Sequence, residues 1–213
     1  GITLKNRWLV KRPIFLFFGE MENEFQKLLG LPSFLDTSYG RVFLFECQKG
    51  NHRAEIQKKL SDSAGFDVGA IIQNKETERP YFSKSPFNAN WTHTKNLCIL
   101  AYSESACVGI DAEFIRPKSL KIAERFFHSE EIKYLNELNQ KNEYLVTTEF
   151  FKLWCRKEAY FKCVGGSFFG EILGKSFLSK EQAKVSFSEF TLDYNTHSIY
   201  VVLATSPKNH PLL

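Results

Sequence analysis

Two carboxylates stand two positions apart in the apolar run VGIDAEF, residues 108–114. Side chains alternate between the two faces of a β-strand, so Asp111 and Glu113 share one face and the apolar residues share the other. The two acids would lie about 7 Å apart, and Gly109 on the same face would leave room for a ligand to approach. Such oxygen ligands suit Mg²⁺, Mn²⁺ or Ca²⁺. The alternative is a strand that turns two ordinary acids towards solvent.

A third acid lies in TTEFFKLWCRKEAYFKCVGG, residues 147–166, whose pattern predicts a helix from about Thr147 to Val164 that ends at a glycine pair. At about 100° per residue, Glu158 falls in the middle of the most apolar stripe of this helix. The stripe contains Phe150, Phe151, Trp154, Cys155 and Phe161. A carboxylate in that position must be paired, protonated or coordinated, because burying a bare charge is costly.

Two lysines accompany Glu158. Lys162 shares its face one turn later, and an ordinary i,i+4 ion pair is the alternative explanation for both residues. Lys157 flanks the stripe, where it could reach an anion. Three carboxylates with adjacent lysines favour a hard divalent cation beside phosphate oxygens, and hence phosphoryl-type transfer.

Composition limits the class of protein. The 213 residues include 43% hydrophobic residues and 21 Phe, enough for a substantial core. No apolar run approaches the length of a membrane span. The five cysteines show no CxxC spacing, and this pattern predicts reduced thiols in a cytoplasmic protein. The net charge of +4 suits an acidic partner or a phosphorylated ligand, but without basic clusters it does not favour nucleic acid.

The order of elements predicts an α+β fold, with two similar α+β lobes at residues 1–102 and 103–213. The expected strands are 7–18, 41–47, 66–72, 97–103, 107–114, 184–194 and 197–205. The expected helices are Glu20–Leu29, Arg53–Leu60 and one N-capped by Ser129. Residues 73–90 read as a polar loop, and the strands on either side of Ser103–Ala106 read as a hairpin.

The segment NANWTHTKN, residues 88–96, places His93 at the start of a strand between Thr92 and Thr94. Two hydroxyls and an imidazole are able to bind a phosphate. A purely structural histidine is the alternative.

Taken together, these segments resemble the larger 4′-phosphopantetheinyl transferases of the surfactin-synthetase-activator (Sfp) type. That family carries [K/R]-P, then N-x-[S/T]-H-[S/T], then G-[I/V]-D-x-E, then W-x-x-K-E-A-x-x-K. In this chain the four elements are Arg79-Pro80, residues 90–94, residues 109–113 and residues 154–162. They occur in the family's order, and the similarity covers roughly residues 78–166.

The resemblance implies two lobes related by a pseudo-twofold axis in one monomeric chain, with coenzyme A between them. It implies Mg²⁺-dependent or Mn²⁺-dependent transfer of phosphopantetheine to a serine of an acidic apo acyl or peptidyl carrier protein, in fatty acid, polyketide or nonribosomal peptide synthesis. Asp111, Glu113 and Glu158 would bind the metal. Glu158 would also act as base, directly or through a metal-bound water, and Lys162 as acid.

Coenzyme A phosphates would contact Arg79, Thr92, His93 and Lys157. Arg53, or else Arg41, would bind the 3′-phosphate. Two other functions stay open at this point: a metal-dependent phosphohydrolase, and a carrier-protein or nucleotide-binding module without catalysis.

Overall fold

The computed structural model describes residues 26–29, 34–36, 41–47, 50–75, 79–117, 120–165, 168–179, 182, 184–194 and 196–207, with side chains from residue 41 onward. The fold is mixed α+β, as predicted, and its main features are two four-stranded sheets. The expected strand at residues 7–18 lies outside the described residues.

The first sheet has the strand order β2-β3-β7-β6 and is antiparallel throughout. Its strands are β2 (Phe34–Asp36), β3 (Arg41–Glu46), β6 (Asn88–Thr94) and β7 (Leu97–Ser103). A small two-stranded sheet accompanies it, formed by β4 (Ile71–Gln73) and β5 (Pro80–Phe82). The strand β5 therefore lies inside the segment that the sequence suggested was a loop.

The second sheet has the order β1-β9-β10-β8. Its strands are β1 (Gln26–Leu29), β8 (Ala106–Phe114), β9 (Ser186–Tyr194) and β10 (His197–Pro207). β1 pairs parallel with β9, whereas β10 runs antiparallel to both of its neighbours. An early strand thus completes the sheet that is otherwise built from the second half of the chain.

Alternating side chains place one apolar core between the two sheets and one core on the outer face of each. In β8, Val108, Ile110 and Ala112 enter the core between the sheets. On the first sheet's outer side, apolar residues pack against α1 (His52–Ala64). On the second sheet's outer side, they pack against helical segments that follow β8.

Three helices lie between β8 and β9. They are α2 (Lys121–Phe126), α3 (Ser129–Asn139) and α4 (Glu143–Val164), followed by a π-helical turn at Phe168–Ile172. The predicted end of α4 is confirmed, since Gly165 has φ +83°. In the described part of the chain, none of the helices combines the length and the apolarity that crossing a membrane requires.

Three local expectations were wrong. β7 and β8 do not form a hairpin, because β7 pairs with β3 and β6 whereas β8 pairs with β10, so the Ser103–Ala106 connection passes from one sheet to the other. Residues 26–29 form a strand rather than the end of a helix, because β9 offers them a parallel partner. The N-cap of α3 is His128, whose side chain accepts a hydrogen bond from Glu130 N, so Ser129 is already inside the helix.

Candidate active site

The site forms where α4 crosses the carboxylate face of β8. Gly109 makes the crossing possible, because a Cβ there would lie 2.2 Å from Ala159 O and 2.4 Å from Cys163 N. The sequence suggested that Gly109 leaves room for a ligand. In the structure that room is filled by the backbone of α4, and the close approach brings the charged groups of the helix over Asp111.

Asp111 and Lys162 form the centre of the site. Lys162 Nζ lies 2.7 Å from Asp111 Oδ1 and also donates to Ile110 O at 3.1 Å. Asp111 is 5% exposed, and its second oxygen, Oδ2, is buried with no hydrogen-bond partner among the described residues. A buried carboxylate oxygen with no partner is costly unless another group binds there.

Glu158 and Glu113 border this pair. Burial raises the pKa of Glu158 to about 7, and the negative charges of Asp111 and Glu113 add to the shift while Lys162 opposes it. Three carboxylates are therefore close enough to feel one another's charge. Glu113 Oε2 accepts a hydrogen bond from Arg116 at 3.1 Å, on the solvent side of the site.

The donors at this site fit a hard divalent cation. All three carboxylates offer oxygen, and Asp111 Oδ2 is a buried oxygen still to be satisfied. The ligand set is not preassembled, since no three His, Cys, Asp or Glu side chains among the described residues are grouped closely enough to hold an ion. The Lys162 ammonium supplies positive charge to Asp111 in this conformation.

Two residues of β6 reach the same place from the first sheet. Thr92 donates from Oγ1 to Asp111 Oδ1 at 3.3 Å and is 9% exposed. Asn90 Oδ1 accepts from Ile110 N at 3.3 Å. Thr92 was expected at a coenzyme A phosphate, and the structure brings it to the carboxylate instead.

His93 points to the other face of β6. It is exposed and stacks on His52 with the ring centroids 5.3 Å apart, at the start of α1. Arg53, also exposed, follows His52 in the first turn of this helix. Burial lowers the pKa of His52, and the nearby His93 and Arg53 lower it further. The structure thus places His93 and Arg53 in one region.

The expected role of Lys157 as a phosphate ligand does not fit its surroundings. Its Nζ is fully buried, 2.8 Å from Glu131 Oε2, and donates to the carbonyls of Leu173 and Lys175. The ammonium also lies 4.8 Å from the ring centroid of Phe177. All this lies on the side of α4 away from Glu158, so Lys157 is part of the core.

The two remaining arginines have different positions. Arg79 donates from Nη2 to Lys162 O at 3.3 Å, so it contacts the C-terminal end of α4 beside the site. Arg41 donates to Ser63 Oγ at 3.2 Å, near the C-terminal end of α1, far along that helix from His52 and His93. The structure therefore groups Arg53, and not Arg41, with His93.

Sequence reasoning missed Asn90 and Cys155 as parts of this site. Asn90 belongs to the quoted motif, but its contact with Ile110 depends on the meeting of two sheets, which no local pattern shows. Burial raises the pKa of the Cys155 thiol well above its usual range, and the charges of Asp111 and Glu113 raise it further, so the thiol lies beneath the carboxylates. Its place one turn before Glu158 was the available signal.

Comparison with known proteins agrees with this geometry. Residues 107–212, which contain β8, α4 and all three carboxylates, match the model of the 4′-phosphopantetheinyl transferase superfamily. This part of the chain belongs to that superfamily.

Individual relatives carry the same name. The 4′-phosphopantetheinyl transferase HetI of Nostoc sp. is 35% identical over 120 residues, which are 53% of this chain and 49% of that protein. The 4′-phosphopantetheinyl transferase gsp of Aneurinibacillus migulanus is 36% identical over 110 residues, which are 52% of this chain and 45% of that protein. A 4′-phosphopantetheinyl transferase of Bacillus subtilis is 31% identical over 105 residues, covering 49% and 43% of the two chains. The matches thus span about half the length of these curated relatives.

Proposed function

We propose that this chain transfers the 4′-phosphopantetheine group of coenzyme A to a serine hydroxyl of an apo acyl or peptidyl carrier protein, releasing adenosine 3′,5′-bisphosphate. The observation that carries the proposal is the meeting of Glu158 and Lys162 with Asp111, inside the segment that matches the superfamily. A base, a cation and an acidic ligand set are the parts that such a phosphoryl transfer needs.

Asp111, Glu113 and Glu158 would hold a divalent cation, Mg²⁺ or Mn²⁺. When bound, the ion offsets the negative charge of the pyrophosphate. The unsatisfied Oδ2 of Asp111 supports a cation at this position. Mg²⁺ uses few protein carboxylates and completes its shell with water and phosphate oxygens.

Glu158 serves as the base that accepts the serine proton. In the metal-free protein the pKa of Glu158 is about 7, and a bound cation would favour the ionised carboxylate that a base must present. The serine oxygen then forms a bond to the phosphorus that carries the pantetheine arm, and the pyrophosphate P–O bond to the adenosine part breaks. Lys162 stabilises or protonates the phosphate that leaves, from its position 2.7 Å from Asp111.

Coenzyme A lies at the boundary between the two proposed lobes, with His93 and Arg53 at its phosphates and Arg79 beside Lys162. The stacked His52 and His93 at the start of α1 support an anion there. Thr92 is buried against Asp111, which supports a role through the carboxylate rather than at a phosphate. His93→Ala is accordingly expected to raise the KM for coenzyme A more than it lowers kcat.

The remaining hypotheses stay predictions. They are the division into pseudo-twofold lobes at 1–102 and 103–213, a monomeric state, an acidic carrier protein and a cytoplasmic location. The two face-to-face sheets, each backed by helix, support the pseudo-twofold arrangement. The net charge of +4 supports an acidic partner.

One assay tests the proposal. The protein is incubated with coenzyme A, Mg²⁺ and a panel of apo carrier proteins, and the intact mass of each carrier is measured. A gain of one phosphopantetheine group on a serine is expected, together with an equal amount of adenosine 3′,5′-bisphosphate. Free phosphate without modified carrier would indicate a phosphohydrolase, and binding without either product would indicate a module without catalysis. Either result would overturn the proposal.

A further inference from the structure

The two sheets meet at the strands that carry the site. β6 is the last strand of the first sheet and β8 is the last strand of the second, so each pairs through its backbone with one neighbour in its own sheet. No backbone ladder joins β6 to β8 in the described part of the chain. Side chains of β6 make the contacts across this boundary instead.

The contacts fall on two consecutive residues of β8. Asn90 Oδ1 accepts from Ile110 N at 3.3 Å, and Thr92 Oγ1 donates to Asp111 Oδ1 at 3.3 Å. Asn90 and Thr92 are two positions apart, so they share one face of β6. Both are nearly buried, with 8% and 9% exposure.

The backbone of Ile110 explains why a side chain is needed there. Ile110 stands opposite Leu203 of β10, and in an antiparallel pair the N–H and C=O of one residue point to the same side. The N–H is bonded to Asn90 and the C=O to Lys162, so both point away from β10. Asn90 thus takes the place of a missing strand partner for a buried donor, beside the residue that carries the central carboxylate.

We propose that Asn90 is a positioning residue of this active site. It fixes the backbone of Ile110, and Thr92 fixes the carboxylate of Asp111, so that the first sheet sets how Asp111 is presented to the divalent cation and to Lys162. The inference rests on the proposed function for its kinetic consequence only. The positioning itself applies to cation binding and can be measured without transfer.

The first test measures binding of Mg²⁺ alone, from the rise in Tm as Mg²⁺ is titrated into the whole protein. Asn90→Ala is compared with Asn88→Ala, which removes the same side chain two positions earlier on the same face of β6. We expect Asn90→Ala to weaken Mg²⁺ binding by about 10-fold, which corresponds to the loss of one well-placed interaction. Asn88→Ala should bind Mg²⁺ like the wild type. Equal Mg²⁺ affinity in the two variants, or no effect of Mg²⁺ on the wild type, would overturn the inference.

A second pair of variants covers the case in which Asn90→Ala does not fold. Thr92→Val keeps the shape and loses the hydroxyl, whereas Thr92→Ser keeps the hydroxyl. We expect Thr92→Val to weaken Mg²⁺ binding and Thr92→Ser to retain it. If the serine variant loses as much Mg²⁺ affinity as the valine variant, the hydroxyl does not position Asp111 and the inference is wrong.

Transfer kinetics separate this inference from the proposed function. In Asn90→Ala we expect kcat to fall by about 10-fold while the KM for coenzyme A changes by less than about twofold, because the defect lies at the reacting centre. If the wild type transfers to no carrier but the Mg²⁺ titrations follow expectation, the proposed function fails and the positioning stands. If the wild type transfers and Asn90→Ala matches Asn88→Ala throughout, only the inference fails.

Discussion

The two sides of α4 carry similar charged residues, but the charges on one side are completely paired and those on the other side are not. On the side that faces α3 and β9, Lys157 and Arg156 are buried and partnered. Lys157 bonds to Glu131 and two carbonyls, and Arg156 makes a bidentate pair with Glu189 at 2.6 and 3.0 Å. These charges stabilise the packing of the helix and have no group left for a ligand.

On the side that faces β8, the pairing is incomplete. Within the described part of the chain, Lys162 has one carboxylate partner and Asp111 Oδ2 has none, and Glu158 has a raised pKa beside two other acids. Within one helix, then, complete pairing marks the buried structural charges, and incomplete pairing marks the charges that we propose bind a ligand. Residue type alone does not separate the two, since Lys157 and Lys162 are the same residue little more than one turn apart.

The largest expected effect is a loss of activity when a residue on the incompletely paired side of α4 is substituted. Glu158→Gln removes the proposed base and one proposed cation ligand while keeping the shape, so kcat for carrier modification should fall by about 10⁴-fold. Circular dichroism and Tm should show that the variant is folded. Wild-type turnover in Glu158→Gln would refute the role of this side of α4.

The next largest effect is a loss of stability when a charge on the fully paired side of α4 is removed. Lys157→Met leaves the Glu131 carboxylate buried without its partner, so the free energy of unfolding should fall by about 3–5 kcal/mol. Urea unfolding measures this loss. Adding Glu131→Gln to Lys157→Met removes the unpaired negative charge and should recover part of the lost free energy of unfolding.

Lys162→Met, on the incompletely paired side, is the matched variant for comparison with Lys157→Met. Because its ammonium is partly exposed, at 22% for the side chain, the loss in unfolding free energy should be smaller, about 1 kcal/mol, while turnover falls strongly. If Lys162→Met proved the more destabilising of the two, the distinction between the sides of α4 would be wrong.

A moderate effect is expected where the helix touches the strand. Gly109→Ala places a Cβ against the backbone of α4, at 2.2 Å from Ala159 O, so the helix must shift and stability should fall by about 1–3 kcal/mol. Turnover should fall as well, because Glu158 and Lys162 move with the helix. Gly174→Ala is the control, since a Cβ there meets nothing within 4 Å. Equal Tm values for the two variants would show that the contact at Gly109 is not tight.

Much of the site could be predicted from the sequence because it depends on local geometry. Strand alternation put Asp111 and Glu113 on one face, and helical periodicity put Glu158 and Lys162 together. Their convergence follows from packing one element on the other. The same periodicity left Lys157 at the edge of the stripe, because it does not show that Glu131 and the carbonyls of residues 173 and 175 close over it.

The fold was less predictable where partners are distant in sequence. The short connection Ser103–Ala106 favours a hairpin locally, yet β7 and β8 belong to different sheets because their apolar faces form the core between the sheets from opposite sides. Residues 26–29 form a strand through pairing with residues 190–193. The role of Asn90 has the same origin, since the donor it satisfies lies on the other sheet.

The last expected effect is a dependence of stability on pH that comes from the incompletely paired side. In the folded, metal-free protein the pKa of Glu158 is raised from 4.5 to about 7. Between these values the folded state holds a proton that the unfolded state has released, so the contribution of Glu158 to stability is present at low pH and is lost as the pH rises towards 7. The loss should be about 1–2 kcal/mol, below the full value of the shift because Glu158 is partly exposed.

Urea unfolding at several pH values, with wild type and Glu158→Gln side by side, measures this decline. The variant should lack it, and Mg²⁺ should reduce it in the wild type, because a cation favours the ionised carboxylate. A wild type and a variant that lose stability in parallel between pH 4.5 and 7 would show that Glu158 titrates like an ordinary surface acid. Its place in the apolar stripe would then not explain its chemistry, and the difference between the two sides of α4 would rest on Lys162 and its pairing with Asp111.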